Sequence, residues 1–459
     1  MDALEKVTRE PSRKVNSSDA AESLNSFVPF RPVQYLGSKI RVLDEIGSVV
    51  KELAPRGGRV ADFFAGSTVV SQFIASKGYS ISAYDTQIYA KEFGVACLGI
   101  GRKQSERLNS DHVLGDLKIR TRLPNEELWC DFAQDEKTAI QNLDIKKLRS
   151  IYGQLPHIWK DTNSEFHSKI ANSIGFESAI SRLPLVCSVY SGSYFGVQQA
   201  LEIDQIRNSI WQLSKSQLIS RWQESAALTA LMFAASRCVH SAGKHFAQPI
   251  KNHEAGTNKF ADTRLLSDRK ISVVESFQEA VESINRLAFS EKNSNNFELR
   301  QAEKLQARDI AEFDLVYLDP PYTAQQYSRF YHLLETLCSY SFPNLITDGT
   351  ITSGLYPKDR FKSAFCSKRN ALPAFSTILE RCKSAKANLL ISYSHSVSGS
   401  DGNARTMSFS EILSECEKHF GARYVKWVSM EHNYRQFNSS GLANQMRNDP
   451  EVLITCKIA

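Results

Sequence analysis

The chain has 459 residues, a hydrophobic fraction of 42% and a formal net charge of +6. This length fits two or three domains, and the hydrophobic fraction is that of a globular protein with a large core, without any apolar run near the ~20 residues of a membrane span. The nine cysteines are scattered without a Cys-x-x-Cys pair, which disfavours a disulfide framework and a zinc site.

The first 28 residues are polar and charged and show no hydrophobic periodicity. We interpret residues 1–28 as a flexible polar arm outside the core. The N-terminal residues lack the apolar segment of a signal peptide, so we expect a cytoplasmic protein.

The first motif is a glycine turn, Tyr35-Leu-Gly37-Ser38-Lys39, followed by helical spacing of apolar residues from Ile40 to Leu53. A turn that leads into a helix offers backbone amides to an anion, and Lys39 would add a positive charge. The alternative is an ordinary amphipathic helix with no ligand.

A second glycine turn, Phe64-Ala65-Gly66-Ser67, follows the predicted strand at Arg59–Asp62. A helix and another strand come next, and that strand ends at Asp85, nineteen residues after Gly66. A turn of this kind lets the backbone approach a ligand closely, and the acid can accept ribose hydroxyls. The Gly-x-Gly-x-x-Gly pattern of dinucleotide sites is absent from this turn.

Residues 106–299 separate these motifs from the remaining ones and are predicted to be largely helical, most clearly over 201–231. Within them, residues 203–270 contain ten Lys or Arg against five Asp or Glu. One basic segment can contact phosphates and base edges, and its candidates are Arg237, Lys244, His245 and Gln248. The alternative is a loop that packs on the helix, with structural histidines, and we predict no metal site here.

The stretch Asp314-Leu-Val-Tyr-Leu-Asp319-Pro320-Pro321-Tyr322 predicts a short buried strand of a parallel sheet. The two prolines end the strand because neither can donate a backbone hydrogen bond. Ligands of open α/β sheets bind at this carboxyl end. Asp319 and the Pro320 carbonyl can accept both N–H groups of an exocyclic amine, and Tyr322 can stack on its ring. The alternative is a proline-stiffened turn.

The last part of the chain adds a helical apolar stripe over 327–337, a basic loop and further strands. The basic residues of the loop, within 351–372, are Lys358, Arg360, Lys362, Lys368 and Arg369. Residues 389–394 predict a core strand, and 424–428 with 451–455 predict a closing antiparallel hairpin.

The order of these motifs resembles that of the Dam-like, alpha-group N6-adenine DNA methyltransferases. The resemblance covers residues 30–105 and 300–459 well and the intervening third loosely. It implies an α/β fold: a Rossmann-like class I S-adenosylmethionine-dependent methyltransferase sheet with a largely helical inserted target-recognition domain. The implied division is 1–28, 29–105 for cofactor binding, 106–299 for target recognition and 300–459 for the active site.

The resemblance also implies roles for individual residues. Lys39 would bind the methionine carboxylate of S-adenosylmethionine beside Tyr35 and Gly37, and Asp85 would hold the ribose. Asp309 would contact the adenine of the cofactor, with Asp116 as a competing candidate. The residues implied to pass under the methionine are Phe64, Ala65, Gly66 and Ser67, and the implied catalytic residues are Asp319, Pro320, Pro321 and Tyr322.

We therefore predict methyl transfer to N6 of a flipped adenine in double-stranded DNA, without a metal, by a monomer. Cytosine N4 methylation and RNA adenine methylation are alternatives, and a non-catalytic DNA-binding relative is an alternative of another class. The sequence leaves open whether a cognate restriction endonuclease accompanies the protein or whether it is a solitary methylase.

Overall fold

The computed structural model describes residues 27–115, 123–159, 183–250, 259–287, 294–347, 350–394, 405–430 and 451–458. Most of the predicted N-terminal arm lies outside the described residues, as do Asp116 and the connection 433–449 of the predicted hairpin. Phe27 and Phe30 already pack against the core. Among the described helices, none has the length and apolarity to cross a membrane.

A seven-stranded sheet forms the centre of the described structure. Its strands are β1 (Arg59–Asp62), β2 (Ser80–Asp85), β3 (Asn296–Leu299), β4 (Leu315–Leu318), β7 (Asn388–Ser394), β8 (Val425–Met430) and β9 (Glu451–Cys456), while β5 (Ile346–Thr347) and β6 (Thr350–Ile351) form a separate antiparallel pair. The order is β3-β2-β1-β4-β7-β9-β8, with β9 and β8 antiparallel to their neighbours. This confirms the predicted α/β fold class and is consistent with a class I methyltransferase sheet.

The helices flank and extend this sheet. Those before β3 are α1 (Leu43–Leu53), α2 (Val69–Ser76), α3 (Ile88–Cys97), α4 (Ser110–Leu114), α5 (Glu127–Gln141), α6 (Ile145–Gln154), α7 (Leu185–Tyr190), α8 (Val197–Lys215), α9 (Arg221–Cys238), α10 (Lys259–Arg269) and α11 (Val273–Arg286). Those after β3 are α12 (Ala307–Ile310), α13 (Tyr327–Phe330), α14 (His332–Ser339), α15 (Ala371–Ala385) and α16 (Phe409–Phe420).

β4 is the central strand of the sheet, and every one of its side chains is buried. Leu315 and Tyr317 point into the same core as α1. Val316 and Leu318 alternate to the opposite face, where α15 and α16 pack. Such a strand, apolar on both faces, fits only between two helical layers.

The helices between residues 127 and 286 share one continuous core with the sheet. Trp222 of α9 is fully buried, and its Nε1 donates to the carbonyl of Ala96 in α3 at 3.2 Å. The third strand, Asn296–Leu299, also falls within 106–299 and pairs with β2. The seven-stranded sheet therefore resumes before residue 300, earlier than the boundary expected from the sequence.

Two predicted helical stretches are interrupted. The pattern over 201–231 splits into α8 and α9, because Gln217 adopts a positive φ of 55° and Ser220 starts a new helix as a capping residue. The stripe over 327–337 breaks at Tyr331, although its apolar members are mostly buried as predicted. The closing hairpin is confirmed by the antiparallel pairing of Trp427 with Ile454.

Candidate active site

The polar groups that the motifs predict lie together at the carboxyl edge of the sheet. Asp319 follows β4 directly, between the ends of β1 and β7. Pro320 and Pro321 cannot continue the ladder, so the chain turns out of the sheet here. Parallel strands that end together place their following residues in one crevice.

Lys39 lies at the centre of a buried group of charges at this edge. Its Nζ is 2.9 Å from Asp319 Oδ1 and 2.9 Å from Glu451 Oε1. It also donates hydrogen bonds to the Tyr322 hydroxyl at 2.8 Å and to the Gly37 carbonyl at 3.2 Å. The Gly37 turn thus brings a lysine from the start of the fold onto the predicted catalytic carboxylate.

The charges in this group shift each other's ionisation. Burial raises the pKa of Asp319 to about 6; Lys39 opposes this rise and Glu451 adds to it. Burial alone would lower the pKa of Lys39, but the carboxylates of Asp319 and Glu451 hold that pKa well above its usual value. Lys39 therefore stays charged at neutral pH, and Asp319 is largely ionised there.

Tyr322 is held on several sides. Its ring packs edge-on against Tyr393 with centroids 5.4 Å apart, and the guanidinium of Arg405 lies 5.3 Å from its centroid. Its carbonyl accepts a hydrogen bond from the Thr406 amide at 3.0 Å. A Cβ at Gly37 would lie 3.0 Å from the Tyr322 hydroxyl, so the glycine permits this close approach.

The second glycine turn meets the end of β2. Gly66 has a φ of +48°, and its amide donates to Asp85 Oδ2 at 3.0 Å. The other oxygen of Asp85 accepts the amides of Thr86 at 2.6 Å and Gln87 at 3.0 Å. Burial raises the pKa of Asp85, while these amides lower it. Three donors leave this carboxylate room for about one further hydrogen bond.

Behind this turn lies a carboxyl group that faces the protein interior. Asp62 accepts hydrogen bonds from Ser71 Oγ at 2.6 Å and from the Phe64 amide at 3.3 Å. Burial raises its pKa to about 7, against the effect of both donors. Asp62 therefore ties the turn to α2 rather than facing a ligand.

One cleft contains both Asp319 of the Lys39 group and Asp85 beside the second glycine turn. Asp85 lines one part of it and Asp319 another, with aromatic walls that include Tyr35, Phe64 and Tyr89. Gln326 and the segment with Phe361 and Ser363 also line the cleft, so the basic loop borders it. The cleft is therefore lined both by predicted cofactor residues and by predicted catalytic residues.

Asp309 is placed differently from its predicted role. Its carboxylate accepts the Gln306 amide at 2.9 Å, which caps α12, and pairs with Arg300 at 2.8 Å. Arg300 and Glu303 line the cleft, whereas Asp309 does not line it and contacts Arg300. Local spacing suggests Asp309 as a ligand-binding acid, but the helix cap and the arginine engage it.

The two predicted groups of DNA-contacting residues differ in exposure. In the first, Arg237 pairs with Glu279, Lys244 pairs with Asp268 at 2.7 Å, and His245 packs edge-on against Phe330. Burial lowers the pKa of His245 to about 4. Arg237 and Gln248 are the exposed members of this group, whereas Lys244 and His245 are partly buried.

In the second group, Arg360 lies against the ring of Tyr356, with its guanidinium 4.6 Å from the centroid. The other members are exposed, namely Lys358, Lys362, Lys368 and Arg369. These exposed basic residues belong to the loop that borders the cleft through Phe361 and Ser363.

Several residues of the site were not predicted from the sequence, chiefly Glu451, Arg300, Tyr89 and Arg405. Glu451 begins an otherwise apolar strand, and a charge in that position is the signal that could have marked it. Arg405 donates to Ser394 Oγ at 3.1 Å beside Tyr322, and its stretch carries no recognisable motif.

Comparison with known proteins supports the predicted enzyme class. A family model described as D12 class N6 adenine-specific DNA methyltransferase matches residues 268–351, which include the Asp-Pro-Pro-Tyr segment. The Type II methyltransferase M.FokI of Planomicrobium okeanokoites is 24% identical over 366 residues, covering 79% of this chain and 44% of that protein.

The modification methylase LlaI of Lactococcus lactis subsp. lactis is 23% identical over 428 residues, covering 93% of this chain and 55% of that protein. The Type II methyltransferase M.NlaIII of Neisseria lactamica is 27% identical over 158 residues, covering 34% of this chain and 41% of that protein. The chain thus spans about half the length of these relatives or less.

Proposed function

We propose that this chain transfers a methyl group from S-adenosylmethionine to N6 of adenine in double-stranded DNA. The observation that carries the proposal is the arrangement of Asp319, Pro320 and Tyr322 at the carboxyl end of β4, beside a cleft that also contains Asp85. The similarity to adenine-specific DNA methyltransferases supports the same reaction. The order of the motifs supports assigning the chain to the Dam-like alpha group.

The residues of the cleft fit S-adenosylmethionine. A Cβ at Gly66 would lie 2.8 Å from the Tyr35 ring, so only a bare backbone fits beside that ring. Asp85 can accept from a ribose hydroxyl, and Arg300, held by Asp309, lies on the same cleft. When bound, the cofactor would supply a methyl group on a positively charged sulfur.

Lys39 and Tyr35 are the proposed contacts for the methionine end of the cofactor. Lys39 already has four oxygen atoms within 3.2 Å, more than the three protons of an ammonium group can serve. A carboxylate could therefore replace one of these contacts without leaving the ammonium unpaired.

The part of the cleft that is lined by Asp319 can orient an aromatic amine. Ionised Asp319 accepts one N–H and the Pro320 carbonyl the other, so the nitrogen lone pair is free to point at the methyl group. Holding the reactants together in this orientation supplies much of the acceleration. A base reaches this position only by leaving the duplex, and stacking on Tyr322, worth about 1–3 kcal/mol, offsets part of that cost.

The exposed basic loop is the proposed contact with the DNA backbone. Phosphate neutralisation dominates affinity for nucleic acids, and this loop borders the cleft through Phe361 and Ser363. Target recognition is assigned to the helical region within 106–299. The similarity to modification methylases supports a monomeric enzyme that works with a cognate restriction endonuclease or, alternatively, as a solitary methylase.

The proposal is tested by incubating the purified protein with labelled S-adenosylmethionine and mixed genomic DNA that lacks adenine methylation. Single-molecule sequencing then locates modified bases. We expect methylated adenines within one short motif, and the same label absent with D319A. Label on cytosine N4 would reject the substrate, and cofactor binding without any DNA label would reject the reaction on DNA.

A further inference from the structure

The buried charges around Lys39 do not balance. One ammonium lies within 2.9 Å of two carboxylates, and the side chains of Lys39, Asp319 and Glu451 are only 3%, 20% and 9% exposed. A buried charge without a partner is costly, so the ammonium must stay in contact with both carboxylates. Because both carboxylates contact the same ammonium, they also lie close to each other, and the charge of one acts directly on the other.

Glu451 differs from Asp319 in its surroundings. It begins β9, where it pairs in register with Ser394 of β7, and its Oε1 accepts a hydrogen bond from Ser392 Oγ at 2.8 Å. Asp319 lines the cleft, whereas the contacts of Glu451 point to Lys39 and the sheet. Glu451 is thus positioned to act on the lysine rather than on a ligand.

We propose that Glu451 is a positioning residue, which holds Lys39 between the two carboxylates and, by its own charge, tunes the acid–base behaviour of Asp319. This inference rests on the proposed methyltransferase function, because it assigns Asp319 to the reacting amine. Glu451 also keeps the Lys39 ammonium within reach of the Tyr322 hydroxyl. It thereby acts on two of the proposed catalytic residues through one side chain.

The direction of the effect follows from the charges. The groups that face Asp319 from the packed elements are Lys39, Asp62, Tyr317, Tyr322 and Glu451. Burial is the largest cause of the raised pKa of Asp319, and Glu451 raises it further. Removing the Glu451 charge therefore lowers the pKa of Asp319, while removing the Lys39 charge raises it.

The experiment follows the Asp319 carboxyl carbon by NMR in protein labelled with ¹³C in its aspartate side chains. The signal is identified by its absence in D319N. We expect its midpoint to fall by roughly one pH unit in E451Q and to rise in K39Q, as expected for loss of a nearby like or opposite charge. E52Q is the matched control, since Glu52 also pairs with a lysine, Lys457 at 2.7 Å, but on the exposed surface.

The double variant K39Q/E451Q keeps the inference testable if E451Q does not fold. It removes one positive and one negative charge together, so it leaves no new unpaired charge from this pair. The Asp319 midpoint in the double variant should lie below that in K39Q by the same amount as the midpoint in E451Q lies below that in the wild type. E451D, which restores the charge, should return the midpoint toward that of the wild type. An unchanged or higher midpoint in E451Q, or equal midpoints in K39Q and the double variant, would overturn the inference.

Activity supplies an independent readout. The acid limb of kcat/KM for DNA methylation should move to lower pH in E451Q and stay in place in E52Q. The NMR midpoints require no turnover. Wild-type protein that fails to methylate DNA would therefore reject the proposed function, while the coupling between Glu451 and Asp319 would still be measured.

Discussion

The backbone of Gly66 lies directly against the ring of Tyr35. A Cβ built on Gly66 would approach the ring atoms to between 2.8 and 2.9 Å, and Tyr35 is itself stacked on Tyr331 with centroids 4.7 Å apart. The Tyr35 ring therefore has little room to move away from Gly66. The turn that borders the proposed cofactor cleft is fixed by contact with an aromatic pair as well as by its own conformation.

Gly66→Ala should therefore weaken S-adenosylmethionine binding at least tenfold. The side chain must displace Tyr35 and also adopt a φ of +48°, which costs an L-residue about 1–2 kcal/mol. Gly78→Ala is the control, because Gly78 has a φ of +90° with nothing within 4 Å. Calorimetric titration of both variants should show loss only for Gly66→Ala, and equal affinities would contradict the assignment.

Asp319→Ala should reduce the rate of methylation by about 10²–10³-fold or more, as for other groups that act on the transition state. DNA binding should persist, because the exposed basic residues are untouched. Asp314→Asn is the control at the opposite end of the same strand, where the carboxylate accepts the Arg59 amide at 2.8 Å. Unchanged methylation by Asp319→Ala in single-turnover assays would refute the assigned role.

Asp62 should make the protein less stable as pH rises. Its pKa is raised by burial to about 7, whereas that of an unfolded aspartate is about 3.9. Between these values the unfolded state loses its proton first, so stability falls from pH 4 to pH 7 and levels off above. Asp62→Asn abolishes this dependence.

The melting temperature of Asp62→Asn, relative to wild type, should therefore rise from pH 4 to pH 7 and then stay constant. The total change follows from about 1.4 kcal/mol per pKa unit and is expected to reach a few kcal/mol at most. A difference that does not vary with pH would show that the Asp62 carboxyl is ionised in the folded protein.

Replacing Lys362, Lys368 and Arg369 together by alanine should weaken DNA binding and its dependence on salt. Each lost phosphate contact lowers the slope of log K against log salt by about 0.9. The matched control replaces Lys51, Lys77 and Lys386, which are exposed near the opposite edge of the sheet. Fluorescence anisotropy at several salt concentrations should show the smaller slope only for the first variant, and equal slopes would remove the basic loop from the interface.

The motifs that the sequence marks are local, and the structure brings them together as expected. Asp319 and Tyr322 follow a buried strand, and Gly66 meets Asp85 because two parallel strands end side by side. Partners that depend on distant pairing could not be predicted in this way. Glu451 joins Lys39 only because β9 inserts beside β7, and no short-range pattern encodes that pairing.

The charge of a residue predicted its place in the site less well than its position at the end of a strand did. Arg237 and Lys244 belong to a basic stretch, yet each is paired with an acid from another helix. Asp309 has the spacing of a ligand-binding acid, yet it caps its own short helix and pairs with Arg300. In each case the sequence shows the charge but not the neighbour that engages it.

The position of β9 also determines when the active centre can form during synthesis. β9 lies between β7 and β8 although it follows both in the chain, so β8 cannot join the sheet until β9 has left the ribosome. Lys39 is made early and Glu451 late, and the cluster they share with Asp319 is incomplete throughout that interval. A chain interrupted before residue 451 would carry the Asp-Pro-Pro-Tyr segment without the strand and the carboxylate that complete its surroundings.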